Sequence, residues 1–311
     1  MYARILVPLD GSPVADQVLP YVRLLGTGFQ AQVELLRIFE PISPSLADPA
    51  HGLYLDQIVA SERSHVEDYL EGVAELLRKD GLTVSSVAHE GHPAASIVQE
   101  AESVPATLVA MCSHGRSGIT GWLLGSTADK VLHATSQPVL IVRSRERHAP
   151  RSEVKLRSLL VPLDGSPLAE QALPHAVALA EALRLKVMLI RATPSMPDYT
   201  LHFASRVSYP FTHIQDLSEK ADAEAREYLD VVCEKLRQQD VSVERRLVHG
   251  DPANALIEMA RECRASLIVM TTHGASGLDR WIRGSVTDRV VRHSGDPVLV
   301  IRADKETSRE A

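Results

Sequence analysis

The chain has 311 residues, enough for two domains with separate hydrophobic cores, and its 33 Lys and Arg against 40 Asp and Glu give a formal net charge of −7. Because the basic residues are scattered, and because no apolar run approaches the roughly 20 residues that span a bilayer, neither nucleic acid nor a membrane is expected as a partner. The 3 cysteines lack metal-ligand spacing and nothing near Met1 resembles a signal peptide, so we expect a soluble protein of the reducing cytoplasm.

Short apolar runs alternate with longer amphipathic stretches in the first half of the chain, which is typical of a parallel sheet covered by helices. Four helices are predicted in this half. The first begins at Ser12-Pro13 and ends near Gly26, and the second has an apolar face over residues 66–77 and stops at Gly81. The third and fourth cover residues 93–101 and 126–134. Strands are predicted at residues 4–9, 32–38, 82–88, 107–111 and 138–142.

The second half repeats this pattern, with strands predicted at residues 158–163, 186–191, 242–248, 266–270 and 297–301. We therefore expect an α/β protein of two doubly wound domains, each a five-stranded parallel sheet of order 3-2-1-4-5 with helices on both faces. The predicted boundaries are a first domain at 1–143, a charged linker at 144–156, a second domain at 157–303 and a disordered tail at 304–311.

Two sequence motifs occur once in each half. Pro-Leu-Asp-Gly-Ser-Pro occupies residues 8–13 and 162–167, an offset of 154, whereas a Gly-Ser pair at 125–126 returns at 284–285, an offset of 159. One unit was therefore duplicated whole. Because the change of offset follows the second strand, five extra residues are predicted in the loop after that strand or at the start of the following helix.

The two motifs are predicted to face each other across one crevice in each domain. In doubly wound sheets, ligands bind beyond the carboxyl ends of the strands where the strand order reverses, here between the first and fourth strands. Asp10 ends the first strand, and residues 112–125 follow the fourth. Gly115 and Gly118 allow a close approach of the backbone to a ligand, and a helix starting at Gly125-Ser126 offers free N–H groups to an anion.

The same residues also allow a purely structural interpretation. Ser126 with Asp129, like Ser285 with Asp288, is a capping-box-like pair that starts a helix without any ligand. The loop lacks the Gly-Lys-Ser/Thr of a Walker A sequence, and it follows the fourth strand instead of the first, unlike the Rossmann fingerprint. From the residues alone, phosphate binding and a structural role stay equally open.

The ordered set of motifs resembles the universal stress protein family. The residues that carry this resemblance are Asp10 after the first strand, Ser113-His114-Gly115, then Gly125-Ser126 and the last strand at 138–142, all of which have counterparts in the second half. The resemblance covers essentially the whole chain and indicates a tandem member with two family domains. In the nucleotide-binding branch of the family, G-x2-G-x9-G followed by Ser or Thr holds the phosphates and ribose of ATP.

The resemblance implies an ATP site in each domain, with Mg²⁺ expected beside the phosphates. Asp10 and Asp164 would contact the adenosine, and the backbone near Ile38 and Ala192 would border adenine. The implied binding residues are Pro8, Asp10, Ile38, Cys112, His114, Gly115, Arg116, Gly118, Gly125, Ser126 and Thr127 in the first domain, and Pro162, Asp164, Ala192, Thr271, His273, Gly274, Gly277, Gly284, Ser285 and Val286 in the second.

The chain departs from the family motif at its first glycine, which is replaced by Cys112 in one half and by Thr271 in the other. The added side chains would lie beside the ribose or crowd it. The second loop also contains Asp279, Arg280 and Arg283, where the first has Arg116 and no acid. Since arginine adds charge-assisted bonds to phosphate and aspartate repels it unless a metal intervenes, we expect unequal affinities.

Other residues have simpler interpretations. His114 and His273 lack a repeated carboxylate or nucleophile in the motif, which favours a binding-loop or structural role over acid–base catalysis. Cys112 is expected to be a small filler, with a redox-sensing thiol as the alternative. Helix initiation is enough to explain the Gly-x-Pro sequences at 91–93 and 250–252, although the resemblance implies that this region lies close to the ligand.

Three functions are weighed. The first is a stress-response regulatory module that binds ATP in one or both domains, with slow or absent catalysis. The second is an interaction protein of the same fold that has lost nucleotide binding, and the third is a slow ATP hydrolase or ligase, disfavoured because no nucleophile and base are repeated. The resemblance also implies an intrachain pseudo-dimer through the apolar last strands, at 138–142 and 297–301, and leaves a homodimer open.

Overall fold

A computed structural model of the protein describes residues 1–39, 52–114, 124–143, 153–198, 211–263, 266–272 and 284–303. The chain divides into two compact units, Met1–Val154 and Lys155–Ala311. Within the described ranges, no helix is both long enough and apolar enough to cross a membrane.

The first unit alternates strands and helices. Its elements are β1 (Arg4–Pro8), a 3₁₀ turn (Ala15–Val18), α1 (Leu19–Phe29), β2 (Gln32–Phe39), α2 (Gly52–Lys79), β3 (Val84–Glu90), α3 (Pro93–Ser103), β4 (Thr107–Cys112), α4 (Ser126–Ala134) and β5 (Val139–Val142).

The second unit has the same alternation. Its elements are β6 (Ser158–Pro162), α5 (Pro167–Glu170), α6 (Leu173–Leu183), β7 (Lys186–Thr193), α7 (Phe211–Arg237), β8 (Val243–His249), α8 (Pro252–Cys263), β9 (Ser266–Thr271), α9 (Ser285–His293) and β10 (Val298–Ile301).

Each unit contains a parallel sheet in the predicted order. The strands run β3-β2-β1-β4-β5 in the first unit and β8-β7-β6-β9-β10 in the second. In register, Ile5 of β1 lies beside Val33 of β2 and Leu108 of β4. The predicted fold class is confirmed, and in each unit the strand order reverses beside the first strand, where a crevice opens at the carboxyl ends.

Apolar runs without alternation form these strands because helices cover both faces of the sheet. Ile5, Leu6 and Val7 follow one another in β1 and all have 0% exposure. Consecutive residues of a strand point to opposite faces, so two separate layers of side chains are buried. The sequence therefore places the core on both sides of β1 and keeps this strand central.

Helix α1 differs from its prediction at both ends. Ser12 Oγ accepts a hydrogen bond from the N–H of Ala15 (3.1 Å), but this turn leads into the 3₁₀ segment, and α1 begins only at Leu19. The helix then runs past Gly26 to Phe29. Gly26 is instead in close contact with Leu82. A Cβ added at Gly26 would lie 2.8 Å from Leu82 Cδ2. Gly26 therefore marks packing rather than a helix end.

The five extra residues of the second unit lie between its second strand and the next helix. The strands β2 and β7 end at Phe39 and Thr193, an offset of 154, and the helices α2 and α7 begin at Gly52 and Phe211, an offset of 159. The insertion therefore falls in the connection 194–210, of which residues 194–198 are described.

Replacing Leu6 tests the two-sided core. Leu6→Ala is expected to lower the free energy of unfolding by about 2–5 kcal/mol, because Leu6 is fully buried in the central strand. Leu76→Ala on α2 is the control, since Leu76 is 57% exposed and its truncation should change stability by less than about 0.5 kcal/mol. Urea denaturation followed by circular dichroism measures both, and equal losses would contradict this account of the core.

Candidate functional site

A cleft opens in each unit at the carboxyl edge of the sheet, between the ends of the first and fourth strands. The cavity measures about 390 Å³ in the first unit and about 280 Å³ in the second. In the first unit its walls come from the ends of β1, β2 and β4 and from the N-terminal turns of α3 and α4. Five elements thus meet at the crevice that the strand order predicts.

The structure brings together those predicted site residues that it describes. The first cleft is lined by Pro8, Asp10, Ile38, Cys112, His114, Gly125, Ser126 and Thr127. The second is lined by Pro162, Asp164, Ala192, Thr271, Gly284, Ser285 and Val286. The remaining predicted residues, Gly115, Arg116, Gly118, His273, Gly274 and Gly277, lie outside the described ranges.

The clefts also contain residues that the sequence analysis missed. Pro93 and Ile97 of α3 form one wall of the first cleft, and Pro252 and Leu256 of α8 form the same wall of the second. The repeated Gly-x-Pro sequence was the available signal: helix initiation is enough to explain it, and the family resemblance places this region close to the ligand, but its residues were not among the predicted binding residues. The proline that begins each helix therefore also contributes an apolar surface to the cleft.

The aspartate at the end of each first strand is fixed by its own turn. Asp10 Oδ1 accepts a hydrogen bond from the N–H of Ser12 (2.9 Å), and Asp164 Oδ1 accepts one from the N–H of Ser166 (2.9 Å). The intervening Gly11 has φ of +78°, a conformation that favours glycine. This Asx turn occupies one carboxylate oxygen while the side chain lines the cleft, so the carboxylate is held in place before any ligand arrives.

An arginine supports this turn from behind. A Cβ added at Gly11 would lie 2.6 Å from Arg37 Nη1, so the guanidinium occupies the space next to the glycine. Arg37 in turn lies 5.1 Å from the centre of the Tyr69 ring, and the Tyr69 hydroxyl donates a hydrogen bond to Asp16. Because Arg37 and Ile38 are consecutive in β2, their side chains project to opposite faces of the sheet. The support and the cleft therefore lie on opposite sides of the Asp10 turn.

The second unit repeats this arrangement. Arg191 Nη2 would lie 3.1 Å from a Cβ on Gly165, and Arg191 lies 4.8 Å from the centre of the Tyr228 ring. The Tyr228 hydroxyl donates to Glu170 Oε1 (2.8 Å). An acid, an arginine and a tyrosine from three separate segments thus support the aspartate turn in both units. We name each set the arginine support, which is Asp16, Arg37 and Tyr69 in the first unit and Glu170, Arg191 and Tyr228 in the second.

Asp16 of the arginine support interacts electrostatically with Asp10, which lines the cleft. Burial raises the pKa of the Asp16 carboxyl above its usual range, the hydrogen bond from Tyr69 opposes this, and the charge of Asp10 raises the pKa further. The two carboxylates therefore interact across the turn. Arg37 lies between the glycine of the turn and the Tyr69 ring. Burial raises the pKa of the Tyr69 hydroxyl, and the positive charge of Arg37 opposes this rise.

Helix α4 starts directly against the end of β4. The N–H of Gly125 donates to the Ser113 carbonyl (2.7 Å), and a Cβ at Gly125 would lie 2.9 Å from that same oxygen. Only glycine permits this approach without a shift of the backbone. In the second unit the N–H of Gly284 donates to the Thr272 carbonyl (2.7 Å) in the same way.

The capping-box interpretation is wrong for these helices. The N-caps are Gly125 and Gly284, which have no side-chain cap, and Ser126 and Ser285 are already the first helical residues. The acidic side chains are directed at the next turn of each helix: Asp129 Oδ2 lies 3.7 Å from His133 Nδ1, and Asp288 Oδ2 lies 2.9 Å from Arg292 Nε. The N–H groups of the first turn of a helix have no partner within the helix. In α4 and α9 these donors, together with the positive end of the helix dipole, are directed at the clefts that Ser126 and Ser285 line.

The residues at the first-glycine position are packed into the fold. Cys112 is 7% exposed and its Sγ lies 3.4 Å from the Ala15 carbonyl, which accepts its weak hydrogen bond. Burial raises the pKa of the Cys112 thiol far above its usual range, which disfavours the reactive thiolate. The filler interpretation is therefore favoured over a redox sensor. Thr271 is equally buried at 6% exposure.

The remaining polar side chain described at the first cleft is His114. Its Nδ1 lies 3.1 Å from the Ser113 hydroxyl. Among the described residues no group of three or more His, Cys, Asp and Glu side chains could hold a metal ion. In this part of the chain, the cleft presents one carboxylate, several hydroxyls and a helix N-terminus, which is the chemistry of a binding site for a polar anion.

Comparisons with known proteins identify the family and the fold of the chain. The family model described as the Universal stress protein family matches residues 1–143 and 155–302, one stretch in each unit. A universal stress protein of Mycolicibacterium smegmatis is 28% identical over 305 residues, which covers 96% of either chain. One of Mycobacterium tuberculosis is 25% identical over 301 residues, again covering 96% of each. The crystal structure of a universal stress protein from Archaeoglobus fulgidus matches with a TM-score of 0.71 at 22% identity, over 97% of this chain and 99% of that one, which shows a shared fold.

Replacing Gly125 tests the contact between α4 and β4. Gly125→Ala is expected to destabilise the protein by about 1–3 kcal/mol, because the new methyl group would meet a backbone oxygen that cannot move cheaply. Gly72→Ala on α2 is the matched control. A Cβ at Gly72 meets nothing within 4 Å, so alanine should stabilise the helix by up to about 1 kcal/mol. Chemical denaturation compares the two variants, and a gain in stability for both would refute the close approach.

Proposed function

Because the chain belongs to the universal stress protein family, as a tandem member with one family domain in each unit, we propose that it is an ATP-binding, nucleotide-dependent regulatory module of the stress response. The proposal includes a cytoplasmic location, where the free thiols of Cys112, Cys233 and Cys263 stay reduced.

The observation that carries this proposal is the convergence of three parts on one cleft. Asp10 offers a carboxylate suited to ribose hydroxyls, and Ile38 offers an apolar surface suited to a base. Ser126 and Thr127, in the first turn of α4, offer hydroxyls and amides suited to phosphate. A cavity of about 390 Å³ is also of the size that small-molecule sites occupy, roughly 300–1,000 Å³.

Mg²⁺ enters this proposal as a companion of the nucleotide. In phosphate sites Mg²⁺ keeps several waters and is held by the phosphates with one or two protein ligands. The described residues contain no cluster that would hold a metal without a nucleotide, whereas the hydroxyls of Ser126 and Thr127 provide oxygen ligands at the end of the cleft proposed for the phosphates. These residues fit a metal delivered by ATP better than a resident ion.

We propose that catalysis is slow or absent. His114 Nδ1 lies 3.1 Å from the Ser113 hydroxyl, while Asp10 Oδ1 accepts a hydrogen bond from the N–H of Ser12. We therefore assign the carboxylate to its own turn rather than to orienting the histidine as the third member of a catalytic triad. Binding and release of the nucleotide would then be the functional event.

A second candidate is an interaction protein of the same fold that no longer binds nucleotide. The buried Cys112 and Thr271, at positions where the nucleotide-binding branch has glycine, favour it. The two candidates separate in a Cys112→Gly, Thr271→Gly double variant. Nucleotide binding that appears only in this variant would support the second candidate, and equal binding in the variant and the parent would exclude it.

Calorimetry with Mg²⁺–ATP tests the first candidate. The parent chain is expected to bind with a dissociation constant at or below about 1 mM, and Asp10→Asn should weaken binding in the first unit about tenfold, the worth of one hydrogen bond to a charged group. Glu62→Gln is the control because Glu62 is an exposed acid on α2, outside the cleft. No measurable heat at millimolar nucleotide would remove the proposal.

A further inference from the structure

The two clefts share a backbone but differ in shape. The second cavity is smaller, about 280 Å³ against about 390 Å³, although the residue bordering its base end is smaller, Ala192 in place of Ile38. A smaller side chain at that end should enlarge the cavity. We attribute the smaller volume of the second cavity to the opposite end, where the first helical turn meets the fourth strand of the unit. There Thr271, Thr272 and Thr287 take the places of Cys112, Ser113 and Ala128.

The side chains at that end explain the narrowing. The first turn of α4 reads Ser126, Thr127 and Ala128, whereas that of α9 reads Ser285, Val286 and Thr287. In the second unit a threonine thus replaces the alanine of the first. The Thr287 hydroxyl donates to the carbonyl of Thr271 (2.8 Å), which ties the larger side chain to the end of β9.

One substitution in the first helical turn replaces a hydroxyl at the second cleft by an apolar side chain. Thr127 brings a hydroxyl to the first cleft, and Val286 at the equivalent place brings two methyl groups to the second. Ser285 remains, but the Thr287 hydroxyl is already bonded to the backbone. In the first helical turn, the first unit therefore brings the hydroxyls of Ser126 and Thr127 to the cleft. In the second unit Val286 brings none, and the hydroxyl of Ser285 is accompanied by that of Thr287, which is bonded to the backbone.

The second cleft nevertheless keeps the features that recognise one anion. The N–H of Asp288 makes the first intrahelical bond, to the Gly284 carbonyl (3.0 Å), so the amides of Ser285 and Val286 precede it. Asp164 keeps the turn that holds its carboxylate beside the cleft. The cleft thus has room and donors for a nucleoside with a short anionic group.

We infer that the two units bind different adenine nucleotides, a triphosphate in the first cleft and a nucleoside monophosphate in the second. This inference rests on the proposed function, because it assumes that the helix end of each cleft receives phosphate. The wider first cleft with Thr127 accommodates a chain of phosphates. In the second, Val286 and Thr287 exclude the outer phosphates and leave the first-turn amides to a single one.

Calorimetry on the full-length chain tests this inference with Mg²⁺–ATP and AMP. ATP is expected to saturate one site per chain, and AMP is expected to bind the ATP-saturated chain with a stoichiometry of one. ATP binding to both sites with equal affinity, or complete displacement of AMP by ATP, would overturn the inference and leave the proposed function standing. No binding of either nucleotide would remove both.

Reciprocal variants assign the sites. Thr127→Val is expected to weaken ATP binding about tenfold and to leave AMP binding to the ATP-saturated chain unchanged, and Thr127→Ser should restore ATP affinity. Val286→Thr combined with Thr287→Ala should create a second ATP site. Thr83→Val is the matched control, since Thr83 is exposed and lies outside both clefts. ATP affinity that is indifferent to all of these changes would contradict the assignment.

Discussion

The clefts depend on one contact, the approach of a helix N-terminus to the end of the neighbouring strand. The N–H of Gly125 bonds to the Ser113 carbonyl at 2.7 Å, and no side chain fits between them. This contact fixes where α4 begins and directs its first amides at the crevice rather than at solvent. A start one turn later would leave the carboxylate of Asp10 without an anion-binding partner across the cleft.

The fold was predictable because its information is local and repeated. Buried parallel strands read as continuous apolar runs, and the duplication shows each of them twice, so a parallel sheet covered by helices was predictable. The order 3-2-1-4-5 was assumed for this class of sheet rather than derived from the pattern, and the structure confirms it. The start of α4 at Ser126 was also predicted, since a Gly-Ser pair follows a loop in both halves of the chain. The interpretation of Ser126 as the N-cap was wrong, because the same sequence of a serine followed by an acid is compatible with the serine as the N-cap or as the first helical residue.

The arginine support was not predicted, although its members were visible. Arg37 and Tyr69 lie 32 positions apart in the sequence and meet only after β2 and α2 pack together. They recur as Arg191 and Tyr228 at the same offsets of 154 and 159 as the repeated motifs, but this recurrence does not show that the two side chains are in contact. A repeated pair of ordinary residues indicates equivalence, whereas the distance between their side chains depends on how the elements pack.

The two units also differ at the strand end that precedes the insertion. At the end of β2, Arg63 lies 6.0 Å from the centre of the Phe39 ring. At the equivalent end of β7, Thr193 Oγ1 donates to Asp222 Oδ1 (2.7 Å) and lies 3.0 Å from His249 Nδ1. The backbone hydrogen bonds of the sheet are the same in both places, so the duplicated scaffold tolerated exchange of an aromatic contact for a polar one.

This separation of scaffold from side chains bears on what a duplicated binding protein can do. Two identical clefts respond to the concentration of one ligand. Two clefts that share backbone donors but differ at Thr127 and Val286 are inferred to bind two ligands that differ only in their phosphates. If the first cleft takes a triphosphate and the second a monophosphate, the occupancy of each cleft follows the concentration of its own nucleotide, so one chain carries both signals. Duplication followed by substitution in one helical turn thus supplies a physical basis for a regulatory function.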